Sequence, residues 1–161
     1  AGREIVPAIV GMAAALKECS AHLEEISSRV QAMRDKLIAG LSQIPHSTLN
    51  GDSKHRLPGN VNFSFEGVDG ETLLVLLDSK GICASAGSAC TSGSLDPSHV
   101  LLAVGVPYEA AHGSLRLSLS AENTPEEVEY LLKAVPEVVT RLRSMSPVWQ
   151  DLEEGRKPHV I

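Results

Sequence analysis

Val61-Asn62-Phe63-Ser64-Phe65 alternates apolar and polar residues without a break. Successive side chains of a strand point to opposite faces, so this spacing predicts a strand with one face on a core and the other polar. A second run repeats the pattern: Leu115, Leu117 and Leu119 alternate with Ser114, Arg116 and Ser118. It predicts another strand, with Arg116 on the less apolar face. Residues 82–85, around Cys83, read as a further short strand, and residues 48–49 as one more beside a polar, turn-rich stretch. A sheet this small hides an apolar face only if helices lie over it.

Helical spacing surrounds these strands. Ile9, Met12, Leu16, Cys19, Leu23, Ile26, Val30, Met33, Leu37, Leu41 and Ile44 recur at steps of three and four, predicting one long amphipathic helix over 7–44. Pro7 suits its first turn and Pro45 stops it. Cys19 falls on the apolar stripe and is read as a packed, inert thiol. Leu73, Leu74, Leu76 and Leu77 predict a short core helix over 71–80, ended by Gly81. Asp96 and Pro97 read as N-cap and first residue of another helix, with Val100, Leu101 and Val104 inward. Residues 107–112 read as a turn or a short helix. The last long helix opens on Thr124-Pro125-Glu126-Glu127, a capping box, and carries Val128, Leu131, Leu132, Val135, Val138, Val139 and Leu142 as its stripe. Pro136 lies within it and predicts a kink. The expected fold is a two-layer α/β sandwich, with a sheet of three to four strands flanked by helices. It occupies one domain over 1–145, followed by a polar tail over 146–161.

Composition narrows the function. At 161 residues and 43% hydrophobic content the chain suffices for one packed domain. Fourteen basic against 20 acidic residues give a net charge of −6 with no basic stripe, which argues against nucleic acid as a partner. No apolar run reaches membrane-spanning length. Three cysteines without a CxxC pair fit neither a disulfide framework nor a zinc knuckle, so no metal site is expected and the expected setting is reducing. The start of the sequence lacks the pattern of a signal peptide, making the cytoplasm the expected location.

The chemistry-bearing stretch is Ala86-Gly87-Ser88-Ala89-Cys90-Thr91-Ser92-Gly93-Ser94. No side chain there can anchor a core. Such a segment gives Cys90 freedom of movement and no steric shield. Composition alone leaves two readings open: a thiol that travels between partners, or an exposed cysteine without a role. Cys83, between Ile82 and Ala84, is expected to be buried. Arg116 is costly to bury unpaired, so it is either a bidentate clamp for a carboxylate or a surface charge. His112 is given no role.

The run Ser88-Ala89-Cys90-Thr91-Ser92-Gly93-Ser94-Leu95-Asp96-Pro97-Ser98-His99-Val100 resembles the active-site segment of the cysteine desulfurases, within the class-V aminotransferase family of pyridoxal-phosphate enzymes. Ala111-His112-Gly113-Ser114-Leu115-Arg116-Leu117-Ser118-Leu119 is similar to their substrate-carboxylate strand. Arg141-Leu142-Arg143-Ser144-Met145-Ser146-Pro147-Val148-Trp149 is similar to their ending, and Pro7 to Leu16 to the helix joining their two domains. Four segments in order are far more specific than one short pattern.

The resemblance implies the C-terminal small domain of a fold-type I pyridoxal-phosphate enzyme, homodimeric at full length. It implies that Cys90 takes sulfur from L-cysteine as a persulfide, that alanine is released, and that Arg116 holds the substrate carboxylate. The sulfur would pass to an iron–sulfur scaffold or another acceptor protein. The cofactor lysine of that family lies in a large domain absent from this chain. None of Lys17, Lys36, Lys54, Lys80, Lys133 and Lys157 sits in a comparable segment. The expectation is therefore that this chain alone neither binds pyridoxal phosphate nor catalyses desulfuration. The alternative is a standalone sulfur carrier or interaction module that keeps the thiol loop.

Overall fold

The computed structural model describes residues 2–86 and 97–161. Three antiparallel strands form one sheet: β1 (Ser47–Leu49), β2 (Asn60–Phe65) in the centre, and β3 (Ser114–Ser118). The helices are α1 (Val6–Ala21), α2 (Leu23–Leu41), α3 (Gly70–Asp78), α4 (His99–Ala103), α5 (Tyr108–His112), α6 (Pro125–Met145) and α7 (Pro147–Glu153).

Register gives the sheet two unlike faces. Val61 pairs with Leu117 and Phe63 with Leu115; between them Asn62 pairs with Arg116 and Ser64 with Ser114. The first set joins the core with Val30, Met33, Leu37 and Leu41 of α2, Leu73 and Leu77 of α3, and Val128, Val135, Val138 and Val139 of α6. The rings of Phe63 and Phe65 stack at 6.0 Å within it. Each such side chain contributes roughly 1.5–3 kcal/mol by leaving water. Helices α2, α3 and α6 therefore make one layer and the sheet the other. The sandwich expected from period two and period 3.6 is the one observed.

Local signals also hold. Thr124 accepts from the Glu127 N–H while the Glu127 carboxylate accepts from the Thr124 N–H, completing the capping box of α6. Asp69 caps α3 by accepting from Thr72. Gly81, with φ of +76, follows α3 in the left-handed conformation that glycine adopts without strain.

Several expectations are corrected. The helix expected over 7–44 is two helices, parted at His22, whose ψ of 13° leaves the helical region. Nothing on α1 is buried, so no packing holds the two in line. Glu24 and Glu25 then favour a fresh helix start at Leu23, opposite the positive end of its dipole. For the same reason Cys19 is exposed rather than packed. Among the described residues, 82–85 make only a single bridge, Ser85 to Arg116, and Cys83 is exposed. Helix α4 begins at His99 after Ser98, so Pro97 is not helical; Asp96 lies outside the described residues. Of its expected inward residues only Leu101 is buried, because one short turn cannot bury three sides.

The polar tail is structured too. Ser146 caps α7, Leu152 is buried, and the Arg143 guanidinium lies 4.0 Å from the Trp149 ring centre. A single apolar anchor and one cation–π contact leave little trace in a hydropathy pattern.

Candidate active site

Arg116 stands on the polar face of the sheet, half-buried at the middle of β3. Period two puts it there, since its neighbours Leu115 and Leu117 claim the core. Its partner Asn62 is on the same face, and Asn50 extends that polar row past the end of β1. Asn50 donates to Asn62 Oδ1 at 2.8 Å and to Ser64 Oγ at 3.0 Å. Arg56 donates to the main-chain oxygens of Asn50 and Asn60, tying together the two chain segments beside the cleft. Burial, and then the neighbouring charge of Arg34, push the Arg56 pKa below its ordinary value, though the guanidinium keeps its charge.

A cleft of about 300 Å³ opens over this face, lined by Asn50, Asn60, Asn62 and Arg116 on the sheet side and by Ser98, Val100, Leu101 and Val104 opposite. One cation, three amides and a hydroxyl beside apolar walls suit a small ligand with a carboxylate. Next along β3, Ser114 Oγ is buried and, among the described residues, has no hydrogen-bond partner.

Arg116 is also bonded to the start of the thiol segment. Its N–H donates to Ser85 O at 2.6 Å, and its carbonyl accepts from the Ser85 N–H at 3.0 Å. Ser85, just before the stretch carrying Cys90, is thus bonded to Arg116, and Ser98, just after it, lines the same cleft as Arg116, while Cys90 itself lies outside the described residues. Cys83 opens instead on a separate cleft of about 250 Å³, lined by Leu117, Leu119, Tyr130 and Leu131 and not by Arg116. His112 faces Tyr108 edge-on at 4.9 Å and lines neither cleft.

Pyridoxal phosphate needs an amine to anchor it, and the residues described here do not fit that need. Lys36 pairs with Glu129, Lys80 with Glu137 and Lys157 with Asp151, while Lys17, Lys54 and Lys133 are exposed. No lysine lines either cleft.

Asn50, Asn62 and Ser98 were not recognisable as cleft residues in the sequence. The period-two pattern showed only that Asn62 shares a face with Ser64. That α4 roofs this face depends on packing between distant segments.

Comparison with known proteins adds the ancestry. A cysteine desulfurase IscS of Methanosarcina thermophila is 54% identical over 148 residues, covering 92% of this chain and 37% of that protein. The cysteine desulfurase IscS of Clostridium botulinum strain Hall is 48% identical over 160 residues, covering 98% of this chain and 40% of its own. A solved NifS-like protein superposes with a TM-score of 0.76 at 33% identity, covering 88% of this chain and 35% of that one. The chain thus spans about two fifths of the length of these curated relatives. The aminotransferase class-V family model matches residues 1–131, and with the two-faced sheet and its arginine cleft this establishes that the chain belongs to the class-V aminotransferase family.

Proposed function

We propose that this chain is the C-terminal part of a pyridoxal-phosphate-dependent cysteine desulfurase, with Cys90 as the sulfur-accepting thiol and Arg116 as the carboxylate clamp. One observation carries the reading: the segment bearing Cys90 begins after Ser85, which is hydrogen-bonded to Arg116, and ends before Ser98, which lines the Arg116 cleft. Cys90 is five residue steps from Ser85, a reach of at most ~18 Å at full extension. A substrate held at Arg116 is therefore within range of the thiol. Relatives that carry the name cysteine desulfurase support the same assignment.

In this reading Arg116 binds the carboxylate of L-cysteine through two parallel hydrogen bonds, with the amides of Asn50 and Asn62 beside it. The Cys90 thiolate attacks the substrate sulfur. A sulfur–sulfur bond forms, and the substrate carbon–sulfur bond breaks with its electron pair left on carbon. That carbon takes a proton and leaves as alanine, while Cys90 keeps a persulfide. Pyridoxal phosphate, held by residues of the longer protein, would supply the electron sink that makes this carbanion accessible. The persulfide passes to an acceptor such as an iron–sulfur scaffold protein, and the longer protein works as a cytoplasmic homodimer.

The test is made on the longer protein. Cys90→Ala abolishes alanine formation from cysteine and leaves the cofactor's absorbance intact, whereas Cys83→Ala keeps the activity. The reverse pattern would move the chemistry to Cys83 and its cleft. Arg116→Ala raises KM for cysteine by an amount corresponding to about 2–5 kcal/mol. An unchanged KM would remove Arg116 from the site.

A further inference from the structure

A second cluster of donor side chains lies away from the Arg116 cleft, where the residues after α7 close against the end of β2. His159 Nδ1 is 2.6 Å from Glu66 Oε2, and His46 Nδ1 is 3.5 Å from the same oxygen. The two imidazole rings stack at 3.7 Å between centres. One potential ligand atom from each of these three residues lies within 4.8 Å of the other two. The Glu66 side chain is only 4% exposed, so its charge is held where water cannot screen it well.

The frame around the cluster is rigid. Glu66 donates its N–H to His46 O. Arg143 donates from Nε to Glu66 O and from its terminal nitrogens to Pro45 O and His46 O, so one guanidinium locks the backbone of two donor residues. His46 has a φ of 51°, a left-handed conformation uncommon in residues other than glycine. Such strain persists only where the surroundings over-determine it.

We propose that His46, Glu66 and His159 bind a divalent transition-metal ion of the zinc type, which fastens the C-terminal segment to the sheet. Two imidazole nitrogens and a carboxylate suit zinc, cobalt or nickel, whereas magnesium and calcium prefer oxygen ligands alone. Bonds of about 2.0–2.2 Å in tetrahedral geometry place ligand atoms roughly 3.3–3.5 Å apart. The His46–Glu66 separation already has this value. For one ion to lie in the plane of both imidazoles, His159 must draw back by roughly 1 Å and turn out of its stack on His46, and His46 Nδ1 must exchange its bond to Ile161 O at 3.2 Å for the metal, its ring proton moving to Nε2. The Val160 N–H on Glu66 Oε1 keeps the terminal segment at the site while the rings turn. In binding, the metal replaces the proton shared between His159 and Glu66, and that proton leaves to solvent. Both histidines are about one-third exposed, at 36% and 33%, which leaves a solvent side for water as fourth ligand.

Trp149 is the sole tryptophan of the sequence, and its ring centre lies 5.5 Å from His46 and 5.9 Å from His159. It reports binding without any enzymatic assay. The full chain, with its thiols alkylated to exclude binding by cysteine, is titrated with Ni²⁺ while Trp149 fluorescence is followed. The expected result is saturable one-to-one quenching, reversed by excess Zn²⁺ and unaffected by Mg²⁺. His159→Ala and His46→Ala, each confirmed as folded by circular dichroism, weaken it by roughly tenfold or more, at least the effect of losing an outer partner. His159 is the safer variant, because it lies on the terminal segment and not in the turn leading into β1. Absence of saturable quenching, or wild-type affinity in folded His159→Ala, would overturn the site. Because no cofactor or cysteine takes part, neither outcome bears on the desulfurase reading.

Discussion

Two serines that pair across the sheet have opposite energetics. Ser64 Oγ accepts from the buried Asn50 amide at 3.0 Å, whereas Ser114 Oγ, equally buried, has no partner among the described residues. Removing one member of a buried hydrogen bond leaves the other unsatisfied, at about 1–3 kcal/mol, while removing an orphan relieves a cost already present. Ser64→Ala should therefore lower the urea midpoint clearly, and Ser114→Ala should leave it unchanged or raise it. Equal losses in both would mean that Ser114 is satisfied within the fold. The thiols teach a related lesson. Cys19 and Cys83 are both exposed, so alkylation rates alone cannot single out Cys90, and only loss of alanine formation separates them.

At the scale of elements, the start of β3 depends on a glycine. A Cβ on Gly113 would lie 2.1 Å from the Phe65 carbonyl oxygen and 2.9 Å from that of Val68, both backbone atoms. The Gly113 carbonyl also accepts from the Phe65 N–H at 2.9 Å. Gly113→Ala must push β2 and β3 apart, three residues before Arg116, and should cost about 1–3 kcal/mol or more in chemical denaturation. An unchanged midpoint would mean that the strands separate without penalty.

The capping box of α6 responds to pH. The hydrogen bond from Asn123, and then that from the Thr124 N–H, hold the Glu127 pKa below the usual glutamate value. A depressed folded-state pKa makes this contribution complete above the unfolded glutamate value and progressively lost as pH falls through the folded one. The melting temperature of wild type should therefore exceed that of Glu127→Gln near neutral pH, and the two should converge in acid. A gap independent of pH would show that the carboxylate charge has no part in the cap.

For the whole molecule, α1 is the exception to the core. Ile5, Val6, Ile9, Val10, Met12 and Leu16 are all largely exposed, and no residue of the helix is buried. An apolar face of this kind binds hydrophobic dyes and drives association. Deleting residues 1–21 should abolish dye binding and concentration-dependent association, and leave the melting temperature unchanged, because the helix contributes no packing. A large fall in melting temperature would show that α1 docks onto the domain.

How much was legible follows from the range of each interaction. Strand alternation, the Thr124 capping box and the apolar stripes of α2 and α6 are local properties, so β2, β3, the sandwich and the face bearing Arg116 could be read directly from residue order. Period 3.6 ran unbroken from Ile9 to Ile44, yet an apolar stripe stays buried only where something lies against it, and for α1 nothing does. Cys19 was misplaced with it. Cys83 was misjudged because apolar neighbours in sequence do not guarantee cover in space. Asn50, Ser98 and the trio of His46, Glu66 and His159 come from distant segments, and no spacing rule joins residues 46, 66 and 159. By itself the sequence determined the fold class and the polar strand face, because those rest on periodicity. Which residues meet across the cleft, which helix stays unburied and how the last residues close on Glu66 were decided only by tertiary packing, since each requires the chain to bring together groups far apart along it.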